Sequence, residues 1–117
     1  LSCFDLDGGI CKNTKYRNSN LINYNKSKPI PTAVKAINKL YDDGHTIVIY
    51  TARGMTRYNG NISLVKKKLF KITANSLKSW KLNYHKLILG KIYYDFIIDD
   101  KSINYSPNWA KVILKKI

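Results

Sequence analysis

The chain has 117 residues, enough for one domain around one hydrophobic core. Its 44% hydrophobic and 12% aromatic residues are typical of a globular protein and exclude a disordered one. No apolar run approaches the roughly 18 residues that a membrane-spanning helix needs, and the N-terminus lacks the basic and apolar regions of a secretion signal. We therefore expect a cytoplasmic protein that forms a single domain over residues 1–117 and does not act within a membrane.

The formal net charge of +14 has two interpretations. A nucleic-acid partner is one, because basic proteins bind polyanions. Compositional bias is the other, since Lys, Asn, Ile and Tyr are abundant, Glu is absent and Arg is rare. The lysines are spread along the chain rather than confined to a stripe, which favours bias and makes nucleic acid the less favoured partner. Under either interpretation, a positive field should draw anionic substrates to the protein.

The first half of the chain predicts a strand, an irregular segment and a helix. Ser2 to Leu6 is a short apolar run around an acidic motif, which favours a buried strand. Gly8 to Pro31 is polar and has no sustained period, so we expect a flap or short hairpin, at about residues 8–31, over the end of that strand. Thr32 to Asp43 carries an apolar helical stripe, and Gly44 predicts where that helix ends.

The second half predicts further strands separated by a long helix. Thr46 to Tyr50 is a β-branched run typical of a buried parallel strand. Residues 54–61 contain an Asn-Gly pair and predict a loop. The remaining predicted elements are a helix over Ser63–Leu82, strands over Lys86–Leu89 and Asp95–Ile98, and a short helix over Asn108–Ile117.

Strands that alternate with helices predict a parallel α/β sheet with right-handed crossovers. Ligands of such sheets bind at the carboxyl ends of the strands. Polar residues that could act on a ligand fall at or just beyond the predicted strand ends in this chain. They are Asp5, Asp7, Thr51, Lys91, Asp99 and Asp100.

Acidic residues are scarce in this chain, and four of the seven lie in two pairs at the ends of predicted strands. All seven are aspartates; Asp5 and Asp7 lie at the end of the first strand, and Asp99 and Asp100 follow the last predicted one. Like charges so close together repel each other unless a cation or a reaction keeps them there. The pattern therefore predicts a magnesium site.

In chain order, the strand-end residues are Asp-x-Asp, then Thr, then Lys, then Asp-Asp. This order resembles the four-motif signature of the haloacid dehalogenase superfamily, whose commonest members are magnesium-dependent phosphatases. The stretches GHTIVIYTARGM and LILGKIYYDFIIDDKSIN are similar to small phosphatases without a separate cap domain, found among bacterial capsule and surface-polysaccharide genes. The resemblance extends from Asp5 to Asp100. It implies a Rossmann-like, doubly wound parallel sheet with a haloacid-dehalogenase-like core and no separate cap.

The resemblance also implies roles for the strand-end residues. Asp5 would be the nucleophile that forms an aspartyl phosphate, and Asp7 would be the general acid and base. Thr51 and Lys91 would contact the phosphoryl group and take part in catalysis. Other residues implied to bind substrate are Ala52 and Arg53, although Arg53 is equally compatible with a solvent-exposed loop arginine.

A magnesium ion is the implied cofactor. Its implied ligands are the Asp5 carboxylate, the main-chain carbonyl of Asp7 and a carboxylate from either Asp99 or Asp100. Two departures from the family pattern leave alternatives open. Gly9 stands where these families commonly carry Thr or Val, and Lys91 lies only eight residues before Asp99, so Lys86 and Lys101 are alternative candidates for the lysine role.

The expected activity is hydrolysis of a small sugar, polyol or amino-alcohol phosphate, or of a nucleotide-linked derivative, in capsular or surface-polysaccharide biosynthesis. The first alternative is a nucleic-acid 3′-end phosphatase on the same fold, for which the charge and the Tyr and Lys residues of the flap argue. The second is a non-catalytic binding protein. The sequence leaves the physiological substrate and the oligomeric state open.

Overall fold

The computed structural model describes residues 1–90, and within them strands and helices follow one another much as the sequence predicts. The predicted strand Asp95–Ile98 and the predicted helix Asn108–Ile117 lie outside the described residues. The described elements are, in chain order, β1 (Ser2–Asp5), β2 (Cys11–Lys15), β3 (Ile22–Pro29), α1 (Pro31–Asp42), β4 (Ile47–Thr51), α2 (Ile62–Ser79) and β5 (Lys86–Leu89).

Strands β1, β4 and β5 form a parallel sheet in the order β1-β4-β5. Strand β4 is the central strand of this sheet and is buried. Its three successive β-branched residues, Ile47, Val48 and Ile49, are each at most 4% exposed, as is typical of a buried parallel strand. Asp5 pairs with Tyr50, and Thr51 pairs with Leu89, so the three strands end at nearly the same level. The predicted α/β architecture with a parallel sheet is confirmed.

Residues 11–29 form the hairpin that the polar segment after β1 predicts. Strands β2 and β3 pair antiparallel, and their register shifts between Lys12 and Thr14. The turn between them includes Asn18 at φ +56°, a left-handed conformation that asparagine tolerates better than most residues. The hairpin is a two-stranded unit separate from the parallel sheet, so its position depends on packing against neighbouring elements.

The two long helices begin and end at recognisable signals. Pro31 opens α1, where its missing N–H costs no hydrogen bond, and Gly44 follows the helix at φ +95°. Asn61 caps α2, since its Oδ1 accepts a hydrogen bond from the Leu64 N–H at 3.1 Å. No helix within residues 1–90 is long and apolar enough to cross a membrane.

Two groups of buried side chains hold these elements together. The larger group joins α1 to β1 and β4 and includes Phe4, Ile37 and Ile49. The smaller group joins α2 to β5 and to the hairpin through Leu69, Leu89 and Tyr24. Because Tyr24 belongs to β3, burial of its ring fixes the hairpin beside the loop that follows β4.

Candidate active site

The carboxyl-terminal edge of the parallel sheet brings the first three predicted site residues together. Asp5 is the last residue of β1, and Thr51 is the last residue of the neighbouring strand β4. Asp7 lies two residues beyond Asp5, and the Thr51 hydroxyl donates to its Oδ2 at 2.6 Å. Residues 44 positions apart in the sequence therefore share one small polar site.

Asp5 is a half-buried carboxylate. Burial and the neighbouring Asp7 carboxylate raise its pKa, while the backbone N–H groups of Asp7 and Leu6 donate to it and oppose that rise. Within residues 1–90, neither of the two ion pairs involves Asp5. Asp5 therefore has no ion-pair partner among the basic side chains of residues 1–90.

Asp7, in contrast, is surrounded by donors. Its Oδ1 accepts from Arg53 Nε at 2.9 Å and from Asn13 Nδ2 at 2.8 Å, in addition to the Thr51 contact at Oδ2. The Asp7 side chain is 26% exposed, whereas its partner Arg53 is fully covered. The ion pair and the hydrogen bonds fix both carboxylate oxygens of Asp7 in position.

Arg53 is buried and makes many contacts, so of its two interpretations the solvent-exposed loop arginine is wrong. Its Nη1 donates to Thr73 of α2 at 3.3 Å, and its Nη2 donates to Ser27 of β3 at 3.1 Å. The guanidinium carbon lies 4.5 Å from the centre of the Tyr24 ring. Arg53 thus joins Asp7, the hairpin and α2. A direct contact of Arg53 with substrate stays a prediction and would require exchanging some of these partners.

Cys11 lies between Arg53 and Asp7. Arg53 Nη2 is 3.4 Å from its sulfur, which is 3.6 Å from Asp7 Oδ1. Burial, together with the Asp7 charge, raises the pKa of the Cys11 thiol to about 12. Cys11 and Cys3 are both buried. A thiol held protonated in this way is a packing group rather than a nucleophile.

Four of the side chains around Asp7 and Arg53 were not predicted from the sequence. One signal was available: Thr73 is a polar residue on the apolar stripe of the second helix, and buried hydroxyls need a partner. The hairpin gives no comparable signal, because polar residues are frequent throughout it. The four groups are Asn13, Ser27, Tyr24 and Thr73.

The other predicted site residues are placed as follows. Ala52 is exposed directly after Thr51. Lys86 begins β5 opposite Val48, three residues, or about 10 Å of strand, from the Leu89 position that pairs with Thr51. Within residues 1–90 there is no group of three or more His, Cys, Asp or Glu side chains placed to hold a metal ion. Four predicted residues lie outside the described part of the chain: Lys91, Asp99, Asp100 and Lys101.

Comparisons with known proteins support the fold. No protein-family model matches the sequence, and a search of curated proteins gives no match. The chain is similar to a crystal structure of a structural-genomics target from Vibrio cholerae, with a TM-score of 0.73 and 24% sequence identity. The alignment covers 99% of this chain and 98% of that one. At this level of identity, the likeness shows a shared fold.

Proposed function

We propose that this protein is a magnesium-dependent phosphomonoesterase with a capless, haloacid-dehalogenase-like core. The observation that carries the proposal is the pair of carboxylates at the end of β1, with Thr51 at the end of the adjacent strand. Asp5 has no ion-pair partner within residues 1–90, whereas Asp7 is held by Arg53, Asn13 and Thr51. Two neighbouring aspartates in such different surroundings suit two different roles.

In the proposed reaction, a carboxylate oxygen of Asp5 attacks the phosphorus of the ester in line with the leaving oxygen. The new bond joins Asp5 to phosphorus, and the bond from phosphorus to the leaving oxygen breaks. Asp7, which has first taken up a proton from solvent, gives that proton to the leaving oxygen. A water molecule then attacks phosphorus and gives a proton to Asp7. The bond between Asp5 and phosphorus breaks, which releases inorganic phosphate and restores both carboxyl groups.

Thr51 would change partners during this cycle. Its hydroxyl has one proton, which it donates to Asp7 Oδ2, and its oxygen accepts from the backbone N–H of Arg53 at 3.1 Å. A bound phosphoryl oxygen would compete for that proton. If Thr51 turned toward the phosphoryl group, Asp7 Oδ2 would lose a hydrogen-bond donor. That oxygen would then be more basic and would hold more readily the proton that the leaving oxygen needs.

The donor chemistry of the site fits a hard divalent cation. Asp5 supplies carboxylate oxygens at a half-buried position, and its repulsion with Asp7 would be relieved by positive charge. The Asp5 carboxylate and the Asp7 main-chain carbonyl would hold Mg²⁺, together with Asp99 or Asp100, which lie outside the described residues. When bound, Mg²⁺ would offset the negative charge of the phosphoryl oxygens.

The proposed substrates are small sugar, polyol or amino-alcohol phosphates, or nucleotide-linked derivatives, of capsular or surface-polysaccharide synthesis. The hairpin supports a small substrate because Asn13 and Ser27 already occupy the space beside Asp7 and Arg53. We also propose that the reaction takes place in the cytoplasm and that Lys91 contacts the phosphoryl group.

The test is a hydrolysis screen across phosphate monoesters with and without magnesium. We expect phosphate release with Mg²⁺, complete loss after EDTA treatment and recovery when Mg²⁺ is added back, because the phosphoryl oxygens need a cation to offset their charge. Released phosphate and residual metal content are measured on the same samples. Normal hydrolysis by protein verified to be metal-free would contradict the magnesium mechanism. No hydrolysis of any ester would favour the non-catalytic alternative.

A nucleic-acid 3′-end phosphatase is the second candidate, and the hairpin carries the observation that favours it. Five basic side chains are exposed on this one unit, and no acidic residue lies anywhere between Asp7 and Asp42. A polyanion could neutralise several of them at once. The exposed basic residues of the hairpin are Lys12, Lys15, Arg17, Lys26 and Lys28.

Salt dependence separates the two candidates. For a small phosphate we expect kcat/KM to fall less than about tenfold between roughly 50 and 200 mM salt, because few charges are neutralised. Binding of a 3′-phosphorylated oligonucleotide through many lysines would instead fall by about 10³ or more over the same range. Charge reversal at Lys12, Lys15 and Lys26 should weaken such binding. The matched control reverses three exposed lysines of α2, Lys66, Lys67 and Lys68.

A further inference from the structure

A cavity of about 250 Å³ lies between the hairpin and the loop that follows β4. We name it the Arg57 cavity. Its hairpin wall includes Asn20, Leu21 and Tyr24, and its loop wall includes Ala52, Thr56 and Arg57. Since Ala52 directly follows Thr51, the cavity adjoins the sheet edge at which Asp5 and Asp7 lie.

Tyr24 joins the hairpin wall of the cavity to the loop wall. The Tyr24 ring lies 4.5 Å from the Arg53 guanidinium carbon and 5.4 Å from that of Arg57, and its hydroxyl accepts from the Gly54 backbone N–H. Gly54 has φ +77°, and a Cβ there would lie 2.5 Å from Leu69 Cδ1. The loop wall is therefore pressed against α2 at a position that only glycine fits.

Arg57 is the charged residue among those that line the cavity. Its Nη2 donates to the Ile22 carbonyl at 2.8 Å, which leaves other guanidinium N–H groups for a ligand. Within residues 1–90 Arg57 has no carboxylate partner, in contrast to Arg53, which is paired with Asp7. The sequence contains no acidic residue from position 44 to position 94. A half-buried guanidinium that pairs with no carboxylate of residues 1–90 favours an anion.

We infer that the Arg57 cavity binds the alcohol part of the substrate, and that this alcohol carries a second anionic group. The inference rests on the proposed phosphatase function and names its substrate class: a phosphate monoester with a carboxylate or a second phosphate. The volume is below the roughly 300–1,000 Å³ of sites for drug-sized ligands, so the cavity fits a sugar-sized group rather than a nucleotide. Exposed Leu21 and Ala52 border it with apolar surface, and Asn20 and Thr56 offer hydrogen bonds to hydroxyl groups.

The experiment compares matched esters on the full chain with Mg²⁺. Glucose 6-phosphate is paired with 6-phosphogluconate, which tests a carboxylate, and fructose 6-phosphate is paired with fructose 1,6-bisphosphate, which tests a second phosphate. For the preferred anion we expect kcat/KM to exceed that of the neutral partner by roughly tenfold or more, as one charge-assisted hydrogen bond would give. The two pairs decide which anion the cavity takes.

Variants assign the preference to Arg57. Arg57→Gln should bring the ratio of kcat/KM within the preferred pair close to one, and Arg57→Lys should retain part of it. Arg17→Gln is the matched control: Arg17 is exposed in the hairpin turn, does not line the cavity, and should leave the ratio unchanged. Thermal unfolding of each variant checks that the Ile22 contact of Arg57 is not needed for the fold.

Two results would overturn the inference while the proposed function stands. They are equal kcat/KM for both members of each pair in the wild-type protein, and a preference that persists in Arg57→Gln. Hydrolysis of none of the four esters, nor of any other monoester with Mg²⁺, would overturn the proposed function and this inference together.

Discussion

Replacing Asp5 by asparagine is expected to reduce phosphatase turnover by a factor of at least about 10³, because an amide cannot act as the nucleophile that forms the phosphoenzyme. The fold should remain intact. The backbone N–H groups of Leu6 and Asp7 that donate to the Asp5 carboxylate can donate equally to an amide oxygen. Because the substitution also removes a half-buried charge beside Asp7, the melting temperature of the metal-free protein should not fall.

The matched control for this substitution is Asp42→Asn, which removes an exposed carboxylate at the end of α1. It should leave turnover unchanged. Addition of Mg²⁺ provides a second measurement, since at a fixed concentration a ligand that binds the folded protein more tightly raises the melting temperature more. That rise should be smaller in Asp5→Asn than in the wild-type protein or the control. Turnover near the wild-type rate in Asp5→Asn would refute the role of Asp5 as nucleophile.

The strands of the parallel sheet and the two helices could be predicted because each carries the apolar pattern that its burial requires. Strand β4 is the clearest example, with Ile47, Val48 and Ile49 all buried. The end of α2 was predicted less well: the helix ends at Ser79 rather than at Leu82. Lys81 adopts φ +58°, and the Leu82 N–H turns back to the Leu77 carbonyl. Leu82 is nevertheless buried, so the apolar period extends beyond the helix itself.

The position of Asp5, Asp7 and Thr51 could be predicted because the parallel sheet brings strand ends to one edge. The surroundings of Arg53 could not. Two of its partners, Asn13 and Ser27, face it only because of the register of the hairpin, which shifts between Lys12 and Thr14. Such a shift changes which side chains of a strand point inward, and no local pattern in a polar strand reveals it.

Replacing Arg53 by alanine is expected to lower the free energy of unfolding by about 3–5 kcal/mol, the usual cost of removing one partner from a buried ion pair. The Arg53 side chain is fully covered and Asp7 is 26% exposed, so solvent screens the pair weakly. The substitution would also leave the Thr73 hydroxyl without its donor and the Tyr24 ring without its cation. At about 4 °C per kcal/mol, the melting temperature should fall by roughly 12–20 °C.

A double-mutant cycle distinguishes the ion pair from the packing of the arginine. If Asp7 and Arg53 stabilise the fold as a pair, Asp7→Asn and Arg53→Ala together should destabilise less than the sum of the two single changes, by roughly 0.5–3 kcal/mol. Arg53→Lys should be intermediate, because lysine keeps the charge but cannot contact Asp7, Thr73 and Ser27 at once. Arg17→Ala, at an exposed position, should change the free energy of unfolding by less than about 0.5 kcal/mol. An Arg53→Ala protein within about 1 kcal/mol of wild type would contradict the central structural role that we assign to this arginine.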